Sequence, residues 1–273
     1  MIEMITLNGI TYQVQQAGSG TPLLMLHGFT GTSSTWNSIQ HTLQSNFHLI
    51  APDLIGHGQT GTPDDPERYA MQHAAADLVA LLDHLNIDTC HLLGYSMGGR
   101  LALYTAVHYR DRIRTLTLES SSPGLRTEAE RNERRERDNT LADRIERDDI
   151  AAFVDFWQSL SLWASQADTL DAQAQADLRT ERLSQHPKGL ANSLLGMGTG
   201  VQPSLWDHLP DLDLPVQLIV GEHDAKFIGI NQTIQTALFD AQLTVIPNAG
   251  HTAHLENPQA FAQTVLTFLN QHG

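Results

Sequence analysis

The chain has 273 residues, with 31 acidic and 16 basic side chains and a formal charge of −15 with histidine neutral. That sign argues against nucleic acid or an anionic membrane as partner, because both are met by a basic face. The bases are 14 arginines and only two lysines, Lys188 and Lys226; the planar arginine fork suits a local site that grips carboxylate or phosphate.

In chain order, residues 4–16 predict two short strands about the turn Asn8-Gly9. Pro22-Leu23-Leu24-Met25-Leu26 is continuously apolar, as for a strand buried on both faces, and ends in His27-Gly28-Phe29. A helix is predicted over 34–45 and a strand over 48–51, followed by Pro52-Asp53. Ala75, Leu78, Val79, Leu82 and Leu85 recur at helical spacing within 74–85. Strand 91–94, helix 101–107 and strand 113–118 follow. From 126 to about 205 the texture is charged and helical, without clear strands. Alternation resumes with strand 216–220, helix 231–238, strand 243–246 and helix 258–269. Such alternation predicts an α/β fold, with a mainly parallel central sheet and helices on both faces. The expected division is a core of 1–124 and 206–273 with a helical cap insertion at 125–205.

Gly94-Tyr95-Ser96-Met97-Gly98 is G-x-S-x-G between a predicted strand and a predicted helix. A serine on so sharp a turn needs glycine two residues to either side. Its hydroxyl then stands at a helix N-terminus, where developing negative charge is favoured. A serine is a weak nucleophile or base alone and needs a histidine oriented by an acid. The order Ser, acid, His is met by Asp224, after strand 216–220, and His251, after strand 243–246. Glu222 and His254 stay open as rivals for the same two roles. His27 and His57, in glycine-containing loops, read as backbone supports. Backbone N–H groups of Met97, after the serine, and Phe29, after the first buried strand, are the candidate oxyanion hole. Neither a metal-ligand spacing nor a dinucleotide fingerprint stands out, so no metal or cofactor is expected.

These features resemble the α/β-hydrolase fold family over essentially the whole chain. A finer likeness lies in Gly94-Tyr95-Ser96-Met97-Gly98-Gly99-Arg100, Ser122-Pro123-Gly124-Leu125, Arg131-x-x-Arg134-Arg135, Glu181-Arg182-Leu183, Val201-Gln202-Pro203 and Gly250-His251-Thr252-Ala253-His254. Together they resemble the SHCHC synthases of menaquinone biosynthesis. The resemblance implies a lyase that expels pyruvate from 2-succinyl-5-enolpyruvyl-6-hydroxy-3-cyclohexene-1-carboxylate. It leaves 2-succinyl-6-hydroxy-2,4-cyclohexadiene-1-carboxylate and uses no cofactor. It also implies Ser96, Asp224 and His251 as triad, Arg100, Arg134 and Arg182 as substrate-binding arginines, and Tyr95 and Trp157 as pocket residues. Ser120-Ser121 departs from the Gly-Gly expected in many members.

A tricarboxylate substrate asks for several fixed cations. Nine arginines lie between 126 and 182, but so do 14 acids, so most are expected to pair on exposed helix faces, as Glu130 with Arg134. Arg100 stands apart, one turn into the helix that begins at the serine. The competing readings are a serine esterase or carbon–carbon bond hydrolase, and a non-catalytic small-molecule receptor. The lone Cys90, the absence of a signal-like start and the lack of a long apolar run give a cytoplasmic chain without membrane insertion as the expectation.

Overall fold

Eight strands form one sheet in the computed structural model, which describes residues 1–272. They are β1 (Ile2–Leu7), β2 (Ile10–Ala17), β3 (Thr21–Leu26), β4 (Phe47–Pro52), β5 (Cys90–Tyr95), β6 (Ile113–Glu119), β7 (Val216–Gly221) and β8 (Ala241–Ile246). Their spatial order is β1-β2-β4-β3-β5-β6-β7-β8. β2 runs antiparallel to both neighbours, and the remaining pairs are parallel. β5 is central and buried along its whole length. Successive side chains of a strand face opposite ways, so Leu92 enters one apolar cluster and Leu93 the other.

The helices close both faces. α1 (Asn37–Leu43) and α11 (Pro258–Gln271) bury Ile39, Leu43, Phe261, Val265 and Phe268 on one side. α2 (Met71–His84), α3 (Met97–His108) and α9 (Ala225–Ala237) bury Leu78, Leu82, Leu101, Leu103 and Ile234 on the other. α10 (Ala253–Glu256) is one turn between β8 and α11. Several helix starts depart from the sequence expectation, α3 among them, which begins at Met97 and not at 101. The predicted 34–45 helix is a 3-10 turn over Ser33–Trp36 followed by α1, because Thr32 Oγ1 accepts the Ser34 N–H and tightens the start. α9 begins six residues before the predicted start, because the Asp224 carboxylate accepts the Phe227 N–H and caps it.

Between β6 and β7 the chain holds α4 (Glu128–Arg147), α5 (Ile150–Gln158), α6 (Gln166–Thr169), α7 (Ala172–Leu183) and α8 (Pro187–Met197), and no strand. Ile145, Phe153, Val154, Leu190 and Ala191 form their apolar centre, with Phe29 of the sheet loops packed against it. α4 corrects one expectation. Thr127 Oγ1 accepts the Glu130 N–H, and the Glu130 carboxylate accepts the Thr127 N–H at 2.8 Å, a capping box. Glu130 is therefore committed to the cap and leaves Arg134 to donate to Asp138 at 2.7 Å. Among the described residues, no helix is long and apolar enough to cross a membrane.

Candidate active site

Ser96 joins β5 to α3 with φ +50° and ψ −107°, a conformation that L-residues avoid. Such a residue persists only where its surroundings over-determine it. Here the Ser96 N–H donates to Glu119 O at 2.9 Å, and Ser96 O accepts from the Arg100 N–H and the Ser121 hydroxyl, both at 3.0 Å. The flanking glycines are steric requirements. A Cβ on Gly94 would stand 2.4 Å from Gly98 O, and one on Gly98 would stand 2.3 Å from Leu26 O.

The loops after β7 and β8 bring the other two groups to this turn. His251 Nδ1 lies 2.7 Å from Asp224 Oδ2, and His251 Nε2 lies 3.2 Å from Ser96 Oγ. With Asp224 as acceptor, Nδ1 carries the proton and Nε2 is left to accept from the serine. Both side chains are buried, and Phe227, Tyr95 and Trp163 pack around the imidazole. The rivals are employed elsewhere. The Glu222 carboxylate accepts the Asn248 N–H. His254 Nδ1 lies 2.8 Å from the buried Glu119 carboxylate, behind Tyr95.

Met97 is the first residue of α3, so its N–H has no acceptor within the helix. Phe29 lines the same cavity from the loop after β3. That loop rests on His27, whose Nε2 accepts the Leu54 N–H at 2.8 Å, which leaves its Nδ1–H to donate to Gly28 O at 2.8 Å. Burial pushes the pKa of His27 down to about 4, and burial with the nearby His27 pushes His57 down to about 3. The unfolded chain protonates both near pH 6.5 while the folded chain keeps them neutral, so the stability they lend is complete above that pH and drains away as pH falls toward 4. The urea midpoint should therefore drop steeply across that window, and less steeply in His57→Gln. A midpoint flat from pH 7 to pH 4.5 would contradict this account.

A cavity of about 440 Å³ opens above Ser96. Its wall includes Phe29, Tyr95, Ser96, Met97, Arg100, Arg134, Trp157 and His251, eight of the ten residues singled out from the sequence. Arg100 is half-buried and, among the described residues, bonds only neutral oxygens, Met197 O at 2.7 Å and Gln202 Oε1 at 2.8 Å. Burial, helped by the Arg134 charge, lowers its pKa to about 10, so it stays cationic at neutral pH. Asp224 lies behind His251. Arg182 does not reach the wall. It is buried at 3 % exposure, with its guanidinium 5.0 Å from the Trp163 ring and its Nε without an acceptor among the described residues. Burial brings its pKa to about 10 against the opposing influence of Tyr95 and Glu181. Two further cations line the cavity that sequence reasoning did not assign, Arg126 and Lys226. Proximity to motif residues was their only signal: Lys226 lies two residues past Asp224, and Arg126 directly follows Ser122-Pro123-Gly124-Leu125. Ser120, where Gly was expected, has φ +46°, a left-handed conformation that favours glycine, and its hydroxyl is buried without a partner among the described residues.

The α6–α7 stretch is fastened to the loops after β3 and β8. Glu181 accepts the Thr32 hydroxyl at 2.6 Å and the Ser34 hydroxyl at 3.0 Å, while Gln185 accepts the Gly58 N–H and donates to Gly31 O. On the other side Gln166 donates to Thr252 Oγ1 at 2.9 Å, and Glu256 accepts from Thr169, from Thr252 and from the Gly250 N–H.

Comparison with known proteins agrees with this geometry. The alpha/beta hydrolase fold family matches residues 21–258. A Bacillus subtilis protein provisionally named 2-succinyl-6-hydroxy-2,4-cyclohexadiene-1-carboxylate synthase is 42% identical over 98% of this chain and 98% of its own. The structure of MenH from S. aureus superposes with a TM-score of 0.90 at 35% identity, covering 96% of this chain and 98% of that one. A thermophilic esterase from Thermogutta terrifontis, solved with malate bound, superposes at 0.89 with 26% identity, over 100% of both chains. The chain thus belongs to the alpha/beta hydrolase fold family and, within it, to the 2-succinyl-6-hydroxy-2,4-cyclohexadiene-1-carboxylate synthases.

Proposed function

We propose that this chain is a carbon–oxygen lyase that removes pyruvate from 2-succinyl-5-enolpyruvyl-6-hydroxy-3-cyclohexene-1-carboxylate. The single observation that carries the reading is the charge of the cavity wall. Four cations, Arg100, Arg126, Arg134 and Lys226, face one carboxylate, Glu130, beside the triad of a chain whose net charge is −15. A site for neutral esters has no use for that arrangement, whereas a small tricarboxylate does. The Trp157 indole N–H, with no acceptor among the described residues, is a further donor suited to an anionic ligand. Arg182 acts from behind the wall as a fixed positive charge next to Tyr95. The helical segment 125–205 serves as a cap over this pocket.

In the proposed reaction His251 Nε2 takes the Ser96 proton, and the serine oxygen takes the acidic C–H proton beside the succinyl ketone. The electron pair passes into an enolate whose oxygen is held by the Phe29 and Met97 N–H groups. Collapse through the ring breaks the C–O bond to the enolpyruvyl group. The departing oxygen receives the proton from the His251 imidazolium, and the enol becomes pyruvate. Ser96 leaves the cycle reprotonated and His251 neutral.

Purified chain given the enolpyruvyl substrate should release one pyruvate per substrate consumed. Folded protein that releases none above the uncatalysed rate would refute the reading. The second reading, a serine esterase, draws on the likeness to the Thermogutta esterase and the same triad. It expects steady hydrolysis of activated esters through an acyl-enzyme instead of pyruvate release.

A further inference from the structure

Eleven of the 16 basic side chains pair with a carboxylate among the described residues. The five that do not are Arg100, Arg114, Arg126, Arg182 and Lys226. Three of these line the cavity, and Arg182 lies directly behind its wall. In a chain with nearly twice as many acids as bases, unpaired cations gathered at one pocket call for a reason beyond folding. Arg182 is buried and Arg100 half-buried, but Arg126 and Lys226 are exposed and stand at the mouth.

Their settings differ from those of free surface bases. The Arg126 guanidinium lies 3.8 Å from the Trp206 ring centroid, and that ring is fixed by its own N–H bond to Gly124 O at 2.9 Å. A stacked guanidinium uses its flat face on the ring and keeps its edge donors for a carboxylate. Lys226 lies in the first turn of α9, with its ammonium 5.4 Å from the Phe227 ring, which also packs on His251 at 4.8 Å between centroids. Both cations line the cavity from segments that follow the adjacent strands β6 and β7.

We propose that Arg126 and Lys226 form an outer carboxylate subsite that captures and orients one arm of a polycarboxylate before Arg100 engages the inner end. This deepens the reading above and rests on it for the class of ligand. Two exposed cations acting on one carboxylate at low salt should change affinity about tenfold, and salt should erode that difference.

The test is calorimetric titration of the intact chain with propane-1,2,3-tricarboxylate at two ionic strengths, beside the pyruvate assay. The Arg126→Gln/Lys226→Gln variant should bind about tenfold more weakly and show a shallower salt dependence. Its kcat should stay within about twofold of wild type while KM rises. The control is Arg137→Gln/Arg147→Gln, which removes the same charge from two exposed arginines outside the cavity. Equal losses in both double variants would reduce the effect to bulk charge and overturn the subsite, as would unchanged affinity in the first or no binding by the wild type. Pyruvate release with an unchanged KM would remove the subsite and leave the reaction standing. The expected affinity pattern without pyruvate release would remove the reaction and leave the subsite.

Discussion

Replacement of Ser96 by alanine should lower pyruvate release by about 10³-fold or more, with KM little changed and the melting temperature close to that of the wild type. The geometry behind this is the 3.2 Å contact from Ser96 Oγ to His251 Nε2 and the 2.7 Å contact from His251 Nδ1 to Asp224. His251→Ala should cost about as much, because the serine then has no group to take its proton. Asp224→Asn keeps the shape but offers the imidazole the wrong partner, so Nε2 becomes protonated and cannot accept. Groups that act as a unit are not additive, and the Ser96→Ala/His251→Ala pair should be hardly worse than either single change. Single-turnover measurements check all of these. A Ser96→Ala variant within tenfold of wild type would transfer the base to another residue.

Gly98→Ala should remove activity by a different route, through the backbone. The added methyl would meet Leu26 O at 2.3 Å and His27 O at 2.4 Å, and neither can move without shifting β3 or the loop that carries Phe29. Overpacking of this kind costs about 1–3 kcal/mol or more. Relief would come from tilting α3 away from β3, which also displaces the Met97 N–H and the serine. The variant should melt several degrees lower and lose most of its turnover. Gly229→Ala on α9, where a Cβ meets nothing within 4 Å, should do neither. Paired thermal melts and pyruvate assays distinguish the two, and a Gly98→Ala chain with wild-type melting would show that the elbow has more room than these distances allow.

The elbow was readable in the sequence because its chemistry is local: two glycines, a serine and the change from strand to helix lie within a dozen residues. The triad needed only chain order and the ends of two strands, which the apolar runs at 216–220 and 243–246 disclose. Helix starts were less legible. Gly98-Gly99 and Gly229 weaken helical periodicity, so α3 and α9 begin before the pattern becomes visible. Arginine partners were the least legible. Glu130 and Asp138 are both four residues from Arg134, and only the commitment of Glu130 to the Thr127 cap decides between them. The cations at the mouth share no common sequence pattern, since residues 126 and 226 come to one cavity only through the parallel order of β6 and β7.

The polar ties from α6 and α7 to the loops of Thr32 and Thr252 bear on how this scaffold can be re-engineered. Transplanting another helical segment onto the same sheet would take Glu181, Gln185 and Gln166 with it. The hydroxyls and amides of the sheet loops would then lose their acceptors and donors together, on both sides of the serine. A chimera of that kind inherits the triad residues without inheriting their alignment. Specificity on this scaffold is therefore best altered one wall residue at a time, with the helical segment and its two anchoring loops exchanged only as a set.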